Sequence, residues 1–139
     1  MSMFCHQCQE TMKNKGCNMK QGMCGKSAEV ANLQDLFIWV LKGISVWGYK
    51  AKEFGIYDND AGFFIDKGLF ATITNANFDR EDFIGFIKKG IDVRDRLKDQ
   101  FLDAYKQKNG TQFSSLVPEC ATWAPVDDEG LLTKADKGT

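Results

Sequence analysis

Four of the five cysteines stand between positions 5 and 24. They lie in Phe4-Cys5-His6-Gln7-Cys8-Gln9-Glu10-Thr11, in Lys15-Gly16-Cys17 and in Gly22-Met23-Cys24-Gly25-Lys26, spaced C-x2-C-x8-C-x6-C. Thiols this close together serve as metal ligands, as disulfides, or as neither. A C-x2-C pair sets two sulfurs about one turn apart, where they grip one metal ion or two corners of a cluster. Iron–sulfur clusters are typically held by four cysteine thiolates. Structural zinc also takes four ligands, commonly as two tight knuckles joined by a longer loop. Here the second half is C-x6-C, and the lone His6 supplies no second knuckle. The spacing therefore suits a loop around a cubane better than a zinc site. Zinc, disulfides and unligated thiols remain as the other readings.

The redox setting bears on that choice. The first residues, Met1 to Gln7, carry no basic start and no apolar export segment. The longest apolar run, Leu36 to Leu41, ends at Lys42, far short of a membrane span. The expectation is a cytoplasmic chain without a membrane segment, in which thiols stay reduced, and this favours metal over disulfides. Lys13, Lys15, Lys20 and Lys26 face a single acid, Glu10, so the loop is locally basic and would offset thiolate charge. The whole chain has a net charge of -1, which argues against nucleic acid as a partner.

The other reactive residues carry less. Cys120 has no cysteine near it in sequence and reads as a free core or loop thiol. His6 could replace a thiolate, as histidines do in Rieske centres, but it is wedged between two better ligands and reads as a plain shielding side chain. Gly25-Lys26-Ser27 looks like the end of a phosphate-binding loop. Position 20, where that pattern needs its first glycine, is a lysine, and no apolar strand precedes it. With one histidine, lodged among the cysteines, a hydrolytic nucleophile has no histidine base, and no catalytic residue is assigned.

The elements behind the cysteines read as helices. Residues 1–26 have no sustained apolar periodicity, and Asn14, Gly16, Asn18, Gly22 and Gly25 mark turns. From Ser27, a plausible N-cap, Val30, Leu33, Phe37, Val40, Ile44, Trp47 and Ala51 recur at three- and four-residue steps. They predict a helix of about 25 residues, roughly 38 Å long, ending near Gly55. Gly43 and Gly48 inside it suggest close packing against a neighbouring helix.

Residues 61–74 carry apolar side chains around most of a helical wheel. They predict a helix buried on several sides, with two short strands as the alternative, and Asn75, Ala76 and Asn77 break it. Asp79 opens a third helix, with acids in its first turn and Lys106 and Lys108 before the stop at Asn109-Gly110. Its alternating charges from Asp92 to Asp99 read as a solvated face. After Gly110 the chain loosens; Asp127-Asp128-Glu129 could cap a further helix, but the sequence ends before one would mature. The expected fold is all-α, a bundle of about three main helices with an N-terminal cysteine-rich loop. It divides into 1–26 (loop), 27–110 (bundle) and 111–139 (loop and truncated segment), one domain overall.

Phe4-Cys5-x-Gln7-Cys8-Gln9-Glu10-Thr11, Lys15-Gly16-Cys17, Cys24-Gly25-Lys26 and Glu29-Val30-Ala31-Asn32-Leu33-Gln34-Asp35-Leu36 together closely resemble the start of the hybrid cluster proteins, also called prismane proteins or hydroxylamine reductases. The match is dense between residues 3 and 47, including Leu41-Lys42-Gly43-Ile44-Ser45. It is looser beyond, with Pro118-Glu119-x-Ala121-Thr122-Trp123 again similar. The resemblance implies that Cys5, Cys8, Cys17 and Cys24 ligate a [4Fe-4S] cubane near the surface of a helical N-terminal domain. That cubane would relay electrons to a second, iron–sulfur–oxygen cluster, where hydroxylamine or nitric oxide is reduced. The partners it implies are a redox donor protein and the part of the enzyme that carries the hybrid cluster. A second copy of the chain is a further candidate, since a bundle cut from a larger enzyme would expose an apolar face.

Two departures shape the expectation. The last gap holds six residues, where the anaerobe-type family pattern has five, and other members hold a [2Fe-2S] cluster with different spacing. A [2Fe-2S] cluster or zinc therefore stays beside [4Fe-4S]. After Cys24 the chain has one cysteine and no histidine, so it lacks the hybrid-cluster ligands. The expectation is a fragment or stand-alone relative that transfers electrons without doing the reduction. The alternative is a structural zinc-binding or self-associating helical module.

Overall fold

The computed structural model describes residues 3–74 and 79–139. Ser27 ends the cysteine loop and begins the first helix: its hydroxyl accepts a hydrogen bond from the Val30 N–H at 3.2 Å. Helix α1 runs Ala28–Lys52, and the whole apolar stripe from Val30 to Ala51 is buried. Gly55, at φ 73°, turns the chain away after it. Asp58 caps α2 (Asn59–Ile73) by accepting from the Ala61 N–H at 2.8 Å. Asp79 caps α3 (Arg80–Asn109), and Gly110 closes that helix in the left-handed region. Asp127 caps α4 (Asp128–Lys137) through the Gly130 N–H at 2.8 Å.

Helix α1 is the central element, and α2, α3, α4 and a short 3-10 turn at Glu119–Ala121 all pack on it. At its first half Phe37 is stacked on Phe86 at 5.7 Å and meets Phe64 and Phe83 edge-on. Gly68 of α2 makes room for that ring, since a Cβ there would lie 2.8 Å from Phe37 Cζ. At its second half Trp47 packs on Phe101 and Phe113. Burying a side chain of this size stabilises the fold by about 1.5–3 kcal/mol. Among the described residues there is no strand, and the architecture is an all-α bundle. No described helix is long and apolar enough to cross a membrane.

The chain departs from its sequence pattern in four places. Residues 59–73 form the expected helix and not two strands, but only Ala61, Gly68 and Thr72 are buried in it. Phe63 is 70% exposed and Phe70 65%, and Leu69 and Ile73 also face solvent. Burial on several sides is therefore wrong, because α1 and α3 cover one side of α2 and no described residue covers the other. The C-terminal stretch does form a helix, a short fourth one beside the three main helices. Ten residues suffice because Leu131 and Ala135 bury against the core.

The charge run of α3 is solvent-facing at Asp92, Arg96 and Asp99 but not at Arg94, which is 1% exposed. Arg94 donates to the carbonyls of Cys120, at 3.2 Å, and Trp123, and is paired with Asp95 at 2.8 Å. Lastly, the closest neighbour of Gly43 is the short 3-10 turn at Glu119–Ala121, and Arg94 of α3 comes next to it. A Cβ on Gly43 would overlap the Cys120 carbonyl oxygen and lie 2.8 Å from the carbonyl carbon, so α1 lies directly on the backbone of the 119–121 turn. Gly48 faces Leu97 of α3 at 4.0 Å, a looser approach. Cys120 itself is a buried free thiol. The break expected at 75–77 lies outside the described residues.

Candidate metal centre

Two backbone clasps shape the cysteine loop. Cys5 and Cys17 face each other as an antiparallel hydrogen-bonded pair, with Cys5 N–H donating to the Cys17 carbonyl at 2.9 Å and the reverse bond at 2.7 Å. Residues directly opposite in such a pair project to the same face, so these two side chains stand beside one another. The second clasp pairs Gln21 with Ser27. Within it Gly22 N–H donates to the Lys26 carbonyl at 2.8 Å and Gly25 N–H to the Gly22 carbonyl at 2.9 Å, which puts Cys24 at the tip of a tight turn. Within the loop closed by the first clasp, a 3-10 turn at Met12–Asn14 holds Lys13 and Asn14 at φ 55°. Such values are uncommon outside glycine.

The four cysteines differ in setting. Cys17 is buried, Cys5 and Cys8 are half-buried, and Cys24 is exposed; all are free thiols. Hydrogen bonds from the Met23 and Met12 backbone lower the pKa of Cys17 below its ordinary 9.0; desolvation opposes them and the charge of Lys26 assists. Met3 and Ala31 pack against Cys17, with Cys5 and Ala28 at the edge of the same cluster, so the first turn of α1 is the floor of the loop.

Lys26 is the basic residue that reaches sulfur. It is 1% exposed, and its Nζ donates to Cys5 Sγ at 3.7 Å. Lys13, Lys15 and Lys20 point to solvent. Phe4 and His6 lie on the outside with their rings tilted against each other, centres 5.4 Å apart, and both are exposed.

Gln7, between Cys5 and Cys8, reaches back to Asp35 of α1 at 3.5 Å. Crowding around that carboxylate raises its pKa above the ordinary 3.8, opposed by the Gln7 bond and by the charges of His6, Lys26 and Lys42. Asp35 lines a groove of about 650 Å³ together with His6, Gln7 and the end of α4.

Among the described residues no group of three or more His, Cys, Asp or Glu side chains is gathered closely enough to hold a metal ion. The loop brings Cys5 and Cys17 together; it does not draw Cys8 and Cys24 into a four-sulfur cage. The donor set nonetheless suits an iron–sulfur cluster: four free thiols, backbone N–H groups aimed at one sulfur, and an ammonium at another. Hydrogen bonds to sulfur and local charge are the means by which proteins stabilise and tune such clusters. His6 is exposed, its ring tilted against that of Phe4. Three contributors, Met3, Asp35 and the special position of Lys26, escape a reading by residue type. Only the fold distinguishes Lys26 from the other three lysines of the loop.

Comparison with known proteins bears on the same stretch. A family model described as Prismane/CO dehydrogenase matches residues 3–126, which takes in all four loop cysteines and the 119–121 turn. The chain belongs to the Prismane/CO dehydrogenase family. Among its similar family members, a hydroxylamine reductase of Halothermothrix orenii is 50% identical over 137 residues, covering 99% of this chain and 24% of the relative. A hydroxylamine reductase of Nitratidesulfovibrio vulgaris is 56% identical over 121 residues, 87% of this chain and 22% of the relative. One from Petrotoga mobilis is 47% identical over 137 residues, 97% and 25%. The chain thus spans about a quarter of the length of the curated relatives it matches.

Proposed function

We propose that this chain is the electron-relay part of a hydroxylamine-reductase-type system, in which Cys5, Cys8, Cys17 and Cys24 hold one [4Fe-4S] cluster. The observation that carries the reading is the sulfur environment. Cys5 and Cys17 are clasped side by side, the Met12 and Met23 backbone bonds to Cys17, and a buried lysine bonds to Cys5. Its place within a matched family whose similar members are named hydroxylamine reductase supports it.

When bound, the cluster would supply a one-electron couple, fed by a redox donor protein. The chain's own residues do the rest. Met3 and Ala31 keep water from the Cys17 side, and the Gln7–Asp35 contact ties the C-x2-C segment to α1. Cys24 is exposed at the tip of its turn, which leaves that side of the loop open to a donor. The reading carries with it a reducing, cytoplasmic setting and a role without catalysis in this chain.

Cys17→Ala tests it. Anaerobically isolated native protein is expected to hold close to four irons and four sulfides per chain, and the variant to lose most of both. A variant that kept the full complement would contradict the assignment. Two irons per chain in the native protein would replace the cubane with a [2Fe-2S] cluster.

The exposed side of α2 favours one addition. Phe63, Phe70 and Ile73 form an apolar face of the kind that marks docking surfaces. We assign it to further polypeptide of the kind that makes up the other three quarters of the relatives. A concentration-dependent dimer in sedimentation, lost in Phe63→Asp, would instead give the face to a second copy of the chain.

A further inference from the structure

Among the lysines of the cysteine loop, Lys13, Lys15 and Lys20 are solvated, while Lys26 is folded inward with its Nζ 3.7 Å from Cys5 Sγ. The position is held from both sides. Its carbonyl accepts from Gly22 N–H in the clasp that turns Cys24, and the next residue, Ser27, caps α1. The stem is therefore anchored at the joint between loop and bundle, and the ammonium is held against Cys5 Sγ. A charge acts more strongly on its neighbour from inside the protein than from the solvated surface, where water and salt screen it.

We propose that Lys26 is the positioning residue that sets the reduction potential of the cluster, by placing one buried positive charge and one N–H···S bond against Cys5. The inference rests on the cluster assignment above. Reduction adds one electron, and with it one negative charge, to a group that already carries four thiolates. A fixed cation beside it stabilises the reduced form more than the oxidised form and raises the potential. The exposed lysines contribute little, being screened.

The experiment is a redox titration of the native protein, Lys26→Gln, Lys26→Arg and Lys20→Gln, with dithionite as the one-electron donor and visible absorbance and electron paramagnetic resonance as readouts. Iron and sulfide are measured on every sample. Lys26→Gln is expected to lower the potential by about tenfold in the reduced-to-oxidised ratio, which is ~59 mV for a one-electron couple. Lys26→Arg should keep the native value, and Lys20→Gln should change the ratio less than about twofold. If Lys26→Gln fails to hold a cluster, recovery of cluster and potential in Lys26→Arg supports the role of the charge, and failure of both variants overturns it. An unshifted Lys26→Gln, or an equal shift in Lys20→Gln, also overturns the inference while leaving the cluster assignment standing. Native protein without iron and sulfide would overturn both.

Discussion

Phe37 and Cys17 are both buried, but by different means. Phe37 lies in the middle of α1 among Phe64, Phe83 and Phe86, in a space that Gly68 leaves open. Its position follows from apolar burial, which is non-directional and cumulative. Cys17 has two side chains packed on it, Met3 and Ala31, with Cys5 and Ala28 at the margin. What fixes it is directional: two backbone bonds to Cys5 and N–H groups from Met12 and Met23. The loop around it also keeps Lys13 in the left-handed region, at a cost of about 1–2 kcal/mol. The bundle is thus specified by its own core, whereas the loop lacks the apolar surface to fix itself. For such a segment, ligand binding energy is folding energy. The difference separates the part of the molecule that is scaffold from the part that is site.

The sharpest way to break this comparison is in the core. Phe37→Ala should destabilise the chain by about 3–5 kcal/mol in denaturant unfolding; a loss under 1 kcal/mol would mean that the bundle is not organised around α1. Arg94→Met comes next. It leaves the Cys120 and Trp123 carbonyls without their buried donor, at about 1–3 kcal/mol each. The unfolding midpoint should fall accordingly, and an unchanged midpoint would show that the 119–121 turn holds without the clamp.

Asp58 gives a smaller, pH-dependent effect. Burial pushes its pKa up, but the Ala61 N–H and the Arg96 guanidinium outweigh that and hold it below the ordinary 3.8. The folded state therefore binds that proton more weakly than the unfolded state. The stability Asp58 contributes is present above pH 3.8 and is lost as pH falls through the lower folded value. Asp58→Asn keeps the cap and should cost only about 0.5 kcal/mol at neutral pH, while flattening the acid limb of the stability curve. An unaltered acid limb would remove Asp58 from that account. Smallest of all, Cys24→Ser in the metal-free chain should move bundle stability by no more than about 0.5 kcal/mol. A larger change would show that loop and bundle are one cooperative unit.

The same contrast explains what the sequence made legible. The bounds of α1 and α3 follow from local signals, Ser27 and Asp79 at one end and Gly110 at the other, with apolar spacing between. The cysteines announced themselves by type and spacing. The outer face of α2 could not be judged, because Phe63 and Phe70 look like core until α1 and α3 are seen to cover the opposite side. Helix α4 carries only two leucines, and the burial of Leu131 depends on α1, nearly a hundred residues earlier. Arg94 and Lys26 look like any surface cation in a charged run. Their burial depends on carbonyls and a sulfur that the chain brings in from 21 to 29 residues away.

The central claim is that the loop cysteines are cluster ligands. Anaerobic purification followed by iron and acid-labile sulfide analysis, with a visible spectrum on the same sample, tests it most directly. The account predicts a brown protein with iron and sulfide in equal amounts near four per chain. A colourless protein carrying one zinc ion and no sulfide would contradict it.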